Sequence, residues 1–465
     1  MKIYLLTDFG STYTKVMAVD TGSGKIVAFA KSFTTIDTDV TIGYNNALKE
    51  ITAQIGSVDY EKRLAASSAA GGLKMVSSGL VTDLTAKASR LAAASAGAKV
   101  VRTYAYELTE HESEEIAFIK PDIILLSGGI DGGNKKVLLQ NAQTIADIPC
   151  DFSVIVAGNR SAAKEARGIL EAGGKNTVVC ENVMPQFGKL NILSAKAAIR
   201  DLFIANIISA KGLDAAQQMM DMEIIPTPLA VFEACELLSK GYGDEEGLGE
   251  LMAYDLGGAT TDVYSMAEGN PKTANAFING ITEPFAKRTV EGDVGMRYSG
   301  QALYDLILEE GAAGFYSEYG VNQEEVDNWL QICNETPGVL PQGPYEQYGK
   351  VDAAFAAEAI RISAARHAGY TERVFTPSGE MFNQFGKDLT QVRYVIGSGG
   401  AVINAKDPAA ILKNAAYSPR DITALKPLNP KILLDKSNSL AAMGLLSRFC
   451  PDVAVKIMVE VFEEI

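Results

Sequence analysis

Histidine is almost missing from this chain of 465 residues: only His111 and His367 occur. A His-rich metal site is therefore excluded. Cysteine is scarce as well. Cys150, Cys180, Cys235, Cys333 and Cys450 lie far apart, and no Cys-x-x-Cys pair occurs. That spacing excludes a local zinc or iron–sulfur knuckle and speaks against a disulfide framework; the five read as small apolar residues of the interior. Long apolar runs are lacking too. Nothing approaches the roughly 18 consecutive apolar residues of a membrane span, so no membrane is expected as a partner. Positive charge is in deficit, with 42 Lys and Arg against 57 Asp and Glu, a net charge of −15. Such a surface repels a phosphate backbone and makes nucleic acid a poor partner. A single nucleotide is not excluded, because Mg²⁺ and backbone N–H groups can be recruited locally. Met1 and Lys2 run directly into an apolar strand pattern without a cleavage site, so the cytoplasm is the expected compartment.

What is present begins with LLTDFGSTYTK at 5–15. An apolar run ends there in an acid, a glycine and a burst of hydroxyls. The stretch LMAYDLGGATTDVYSM at 251–266 repeats the pattern: Asp8-Phe9-Gly10-Ser11-Thr12 aligns with Asp255-Leu256-Gly257-Gly258-Ala259, and Thr14 falls near Thr261. Each is read as strand, tight turn and strand. A second echo pairs DIILLSGGIDGG at 122–133 with RYVIGSGGAVIN at 393–404, each a buried strand followed by a Gly-rich turn. The order hairpin, Gly turn, hairpin, Gly turn implies internal duplication. Two α/β halves are expected, at 1–240 and 250–465, joined by a Gly-rich loop at 241–249. Helices are expected at 159–170, 192–210 and 229–238, and a surface loop over the Pro- and Gly-rich 336–350.

The chemistry follows from the turns. Glycines let backbone N–H groups approach phosphate oxygens, and Ser and Thr hydroxyls add donors. An Asp at a strand end repels phosphate but can hold the water shell of a phosphate-bridging Mg²⁺. Two such hairpins facing one another would clamp a triphosphate, with a third Gly-rich turn beside base and ribose.

These motifs resemble those of the superfamily of acetate and sugar kinases, heat-shock 70 ATPases and actin. DFGSTYTK is similar to its first phosphate motif, DLGGATTD to its second and VIGSGGAV to its adenosine motif. IIPTPLAVFEACELL at 224–238 is similar to the connecting helix. The resemblance implies two ribonuclease-H-like, actin-like ATPase lobes, each a mixed sheet with flanking helices, around a nucleotide cleft. More narrowly, TDFGSTYTK, VMPQFGKLNILSAKAAIRDLF at 183–203, VEGDVGMR at 290–297, SAARHAG at 363–369 and YVIGSGGAV resemble the glutamate mutase L proteins, also called MutL or GlmL. These are regarded as ATP-dependent chaperones or reactivators of coenzyme-B12-dependent aminomutases, so aminomutase subunits, ATP and Mg²⁺ are the implied partners.

Roles carried over from the resemblance assign Mg²⁺ to Asp8 and Asp255. Phosphate would meet Gly10, Ser11, Thr12 and Thr14 from one half and Gly257, Gly258, Thr260 and Thr261 from the other. Gly397, Gly399 and Gly400 would flank adenosine. Lys15 either reaches a phosphate or points to solvent. Asp255 and Asp262 are the candidate catalytic acids, although Asp262 better suits a simple turn cap. The heat-shock ATPases carry a glutamate where Thr227 precedes Pro228 here. Threonine is no general base near neutral pH, so slow hydrolysis resting on Asp255 or Asp262 is expected. The Ser127-Gly128-Gly129 turn and the Pro and Gly of 181–190 are read as structural. His367 is read as packed or surface-exposed. Three other activities fit the same fold: a small-molecule kinase, the activator of a radical dehydratase, and a filament-forming ATPase.

Overall fold

The computed structural model describes the chain outside residues 1, 11, 35–38, 69–73, 211–212, 337 and 378, and describes side chains outside 204–210 as well. Ser11 therefore lies outside the described residues. The chain packs as two units. The first takes Met1–Ala234 with Ala441–Ala454, and the second takes Cys235–Leu440 with Val455–Ile465.

The first unit is built on strands β1 (Ile3–Phe9), β2 (Tyr13–Asp20), β3 (Lys25–Phe33) and β4 (Tyr60–Ser67). All seven residues of β1 are buried, as expected of a central strand covered on both faces. β3 alternates buried alanines with exposed Lys25 and Lys31, the charged surface of a protected edge. Between β4 and the last strand of this sheet the chain inserts a second sheet, from β5 (Lys74–Gly79), β6 (Lys99–Ala105), β7 (Ile123–Leu126), β8 (Ser153–Val156) and β9 (Asn176–Val179). β10 (Ile225–Pro226) then returns to the first sheet, whose order is β10-β4-β1-β2-β3. β1–β2 and β2–β3 are antiparallel, whereas β1–β4 and β4–β10 are parallel. Three antiparallel strands followed by two parallel ones make a ribonuclease-H-like sheet.

The first strands of the second unit form a small hairpin, β11 (Gly241–Tyr242) and β12 (Glu245–Glu246), inside the segment expected to be a linking loop. Gly241 has φ +73°, and a Cβ there would stand 2.4 Å from the Glu245 carbonyl oxygen, so only glycine closes it. The main sheet combines β13 (Leu251–Leu256), β14 (Thr261–Met266), β16 (Ala286–Glu291), β19 (Tyr394–Ser398), β20 (Lys431–Leu434) and β21 (Glu463–Glu464), in the order β16-β14-β13-β19-β20-β21. β15 (Ala276–Ile278), β17 (Tyr370–Thr376) and β18 (Gly379–Phe385) form a separate three-stranded sheet. In the main sheet β13–β14 and β14–β16 are antiparallel, and β13–β19 and β19–β20 are parallel. The second unit thus repeats the strand order of the first, and the expected pair of ribonuclease-H-like lobes is present.

One expected echo is not part of that repeat. The counterpart of β19 in the first unit is β4, which pairs parallel with β1 as β19 does with β13. DIILLSGGIDGG instead contributes β7, inside the inserted sheet. The cause lies in the spacing: Gly399 and Gly400 follow β19 at once, whereas Ser68, Ala69 and Ala70 separate the end of β4 from Gly71 and Gly72. A search for glycine therefore passed over the true partner.

The expected helices are observed at Arg160–Ala172, Leu193–Ala210 and Thr227–Lys240. Asn159 caps the first by accepting from the Ser161 amide, and Gly173 ends it. The stretch expected as a loop at 336–350 holds a 3₁₀ turn, Gly343–Tyr348, and the start of the helix Gly349–His367. No helix among the described residues is long and apolar enough to cross a membrane.

Candidate functional site

The two hairpins share one register. β1 and β2 close with Asp8 opposite Lys15 and Phe9 opposite Thr14; β13 and β14 close with Asp255 opposite Asp262 and Leu256 opposite Thr261. Both leave four-residue turns, and both turns are fastened alike: Gly10 N donates to Tyr13 O at 3.1 Å, and Gly257 N to Thr260 O at 3.0 Å. A Cβ would lie 2.6 Å from Tyr13 O at Gly10 and 2.9 Å from Thr260 O at Gly257. Glycine is thus required by the closeness of the turn.

In the second hairpin every turn carbonyl up to Ala259 is taken by the segment that follows β16. Gly257 O accepts from Met296 N at 3.1 Å, and Gly258 O accepts from Arg297 N at 2.7 Å and Tyr298 N at 2.9 Å. Ala259 O accepts from the Ser299 hydroxyl at 2.7 Å. The amides of Gly258, Ala259 and Thr260, by contrast, have no acceptor among the described residues. Tied carbonyls and open amides make a concavity of positive potential suited to an anion. In the first hairpin the Thr12 carbonyl is likewise occupied, by Thr34 N at 2.9 Å.

Thr14 and Thr261 hold equivalent places but offer no open hydroxyl. Both are fully buried; Thr14 Oγ1 meets Thr34 Oγ1 at 3.1 Å, and Thr261 Oγ1 donates to Val294 O at 2.7 Å. They fasten the hairpins to their own units, while Thr12 and Thr260 are half-buried at the turns.

The acids differ in their partners. Asp8 is buried and accepts from the Thr227 hydroxyl at 2.6 Å, with Lys15 Nζ 3.5 Å from its other oxygen. Lys15 thus folds back onto Asp8. Asp262 sits in a buried ion pair with Arg288, whose Nε lies 2.7 Å and Nη2 2.5 Å from Oδ1. A carboxylate held that way serves poorly as a water-handling base. Asp255 is half-buried on the facing strand, opposite Asp262. Burial pushes the thiol of Cys235 up, with the charges of Asp435 and Asp255 adding to it. Cys235 is the buried neutral thiol expected, as is Cys333, whereas Cys150, Cys180 and Cys450 are half-buried.

At the third motif, Gly397 lies inside β19, where a Cβ would stand 2.3 Å from a Leu412 methyl, so packing demands it. Gly399 has φ +93° and passes 2.4 Å (from its would-be Cβ) from Leu256 O, which brings the turn against the end of β13. Gly400 is exposed. Asp435, beyond β20, is fully buried and accepts from Ser439 N, Leu440 N, and the hydroxyls of Ser437 and Ser439. Burial pushes its carboxyl above the usual range against those donors.

Two further motifs interlock. Arg366 of SAARHAG pairs with Glu291 at 3.1 Å and Asp293 at 2.7 Å of VEGDVGMR. Arg297 is buried and pairs with Asp352 at 2.7 Å while lying over the Trp329 ring. His367 is fully buried; Nδ1 meets Thr289 Oγ1 and Nε2 meets Ser265 Oγ, each at 2.8 Å. These charges brace the second hairpin from behind. Asp435 and Arg288 were not singled out by the sequence, and only their neighbours in space reveal them; Glu291, Asp293 and Arg297, open there to a solvated loop or a cleft lining, are instead held in these ion pairs.

Among the described residues no group of three or more His, Cys, Asp or Glu could hold a metal alone.

Fold and hairpins define a two-lobed protein of the actin-like ATPase architecture. The model of the MutL protein family matches residues 4–462, and the chain belongs to that family. Protein MutL of Clostridium tetanomorphum is 43% identical over 460 residues, 98% of each chain. Solved structures with a similar course include a nucleotide-free acetone carboxylase, at 12% identity and TM-score 0.42 over 96% of this chain and 70% of that one. The ADPNP-bound activator of 2-hydroxyisocaproyl-CoA dehydratase from Clostridium difficile gives 10% and 0.32 over 100% and 99%. Xylulose kinase from Lactobacillus acidophilus gives 12% and 0.35 over 100% and 93%.

Proposed function

We propose that the chain is a cytoplasmic ATP-binding factor that serves a coenzyme-B12-dependent aminomutase, such as glutamate mutase, as a chaperone-like or reactivating partner. The observation that carries the nucleotide reading is the turn at 257–260, whose carbonyls are occupied while the amides of Gly258, Ala259 and Thr260 have no acceptor among the described residues. In this reading those amides and Thr260 take phosphate oxygens, and Gly10, Ser11 and Thr12 do the same from the first hairpin. Asp8 and Asp255 orient the water shell of Mg²⁺, which neutralises phosphate charge when bound. Adenosine lies beside the turn after β19 at exposed Gly400, while Gly397 and Gly399 seat the turn against Leu412 and Leu256. The partner rests on the family and on the motifs it shares with glutamate mutase L.

Hydrolysis in this scheme is slow. Thr227 occupies the place of the heat-shock glutamate and spends its hydroxyl on Asp8, and Asp262 is neutralised by Arg288. The reading gives the attacking water to Asp255, near the end of β13 beside the turn. A nucleotide that drives a partner cycle must bind two states of the protein with different affinity. The test is recovery of purified glutamate mutase subunits on the immobilised chain with ATP, with ADP and without nucleotide. The reading expects retention to differ between the three; equal retention, or none, contradicts it.

A further inference from the structure

The inserted sheet has the order β6-β5-β7-β8-β9, all parallel. In chain order this is 2-1-3-4-5, a doubly wound sheet, and such sheets bind ligands outside the carboxyl ends of their strands. The crevice at the switch point, between β5 and β7, is filled by the protein itself. Ser127 Oγ donates to Ser78 O at 2.8 Å, and a Cβ on Gly79 would lie 2.3 Å from Ala86 N. Space opens instead beyond the ends of β7 and β9, where a cavity of about 730 Å³ is lined by Asp131, Arg160, Lys164, Cys180, Asn182 and Ser194 among others. That is the size of a cofactor or small-molecule site.

Two segments read from the sequence as punctuation build its floor. Asn182 Nδ2 donates to Gly129 O and to Asp131 Oδ1, each at 3.0 Å, and Asp131 N donates to Pro185 O at 3.0 Å. The SGGIDGG turn and the start of the VMPQFGKL motif are thereby locked together. The charge of the lining is uneven. Asp131 Oδ1 also accepts from Arg160 N at 2.9 Å, Glu181 accepts from Asn191 Nδ2 at 3.0 Å, and Arg167 pairs with Glu171 at 2.6 Å. Arg160 and Lys164, one helical turn apart, make no side-chain hydrogen bond or ion pair among the described residues. Burial pushes the Cys180 thiol up to about 11, so it adds a neutral wall. The apolar part of the lining is Ala163, Pro185 and Val179, the last 38% exposed.

From this we infer that the inserted sheet carries a second ligand site, for an organic anion whose phosphate or carboxylate meets Arg160 and Lys164 and whose apolar body meets Ala163, Val179 and Pro185. The site owes nothing to the hairpins. Calorimetric titration of the full chain with flavin mononucleotide, 4-phenylbutyrate and inorganic phosphate separates the two anion chemistries and the contribution of the apolar body. The expected result is 1:1 binding of at least one of the two organic probes, at least tenfold tighter than inorganic phosphate. In the double variant R160A/K164A, whose exposed positions leave the fold intact, that affinity falls at least tenfold while ATP affinity, measured on the same sample, does not change. Failure of both organic probes to bind, or equal affinity in the double variant, overturns the inference and leaves the nucleotide reading untouched.

Discussion

The hydroxyl of Thr227 donates to Asp8 Oδ1 at 2.6 Å, across 219 positions of sequence. It joins the first residue of the connecting helix to the end of β1, and with Lys15 it fixes the carboxylate proposed to orient Mg²⁺. Removing a partner from a buried polar group costs about 1–3 kcal/mol. Thr227→Val is therefore expected to weaken MgATP binding roughly fivefold to a hundredfold in calorimetry, while Thr227→Ser retains near-native affinity. Equal affinity for Val and Ser variants would show that this contact does not position Asp8 for binding.

The turn glycines give a steric prediction. A side chain at Gly10 or Gly257 meets a turn carbonyl at 2.6 or 2.9 Å. Gly10→Val and Gly257→Val should each abolish measurable nucleotide binding, although every acid remains in place. Native nucleotide affinity in both would mean that the turns do not touch phosphate.

Asp262 and Arg288 form a buried pair, and breaking such a pair costs about 3–5 kcal/mol by stranding one charge. Arg288→Ala should lower the unfolding midpoint strongly. Asp262→Asn, which keeps a hydrogen-bond acceptor for Arg288, should leave ATP turnover within about threefold, whereas Asp255→Asn should lower turnover at least tenfold. The reverse ranking, read from phosphate release, would return the catalytic role to Asp262.

His367 sets a pH dependence. It is fully buried, and burial, reinforced by the charges of Lys287 and Lys387 and opposed by Glu283, holds its pKa well below 6.5. The unfolded chain binds a proton near pH 6.5 that the folded chain refuses, so folding stability falls as pH drops below about 6.5. The slope from this one group approaches 1.4 kcal/mol per pH unit. Chemical denaturation between pH 7.5 and 5 should show this loss, and His367→Gln should flatten it; an unchanged slope in the variant would assign the effect elsewhere.

Much of this was legible in the sequence because hairpin turns announce themselves locally. Acid, glycine and hydroxyl fall within five residues, and the aligned pairs Asp8 with Asp255 and Thr14 with Thr261 occupy matching places in the register. What the sequence hid is non-local. That Asp262 belongs to Arg288, or Arg366 to Glu291 and Asp293, depends on sheet neighbours and a helix end more than 20 residues away. The inserted sheet was hidden because its SGG turn imitates the one after β19, while at the true counterpart three residues part the end of β4 from Gly71 and Gly72.

The most direct test is a calorimetric titration of the full chain with ATP in excess Mg²⁺. One saturable site per chain, weakened at least tenfold when Mg²⁺ is withdrawn and lost in Gly257→Val, is the result expected. Absence of any binding heat from ATP or ADP, confirmed by an unshifted unfolding midpoint at millimolar nucleotide, would contradict the account.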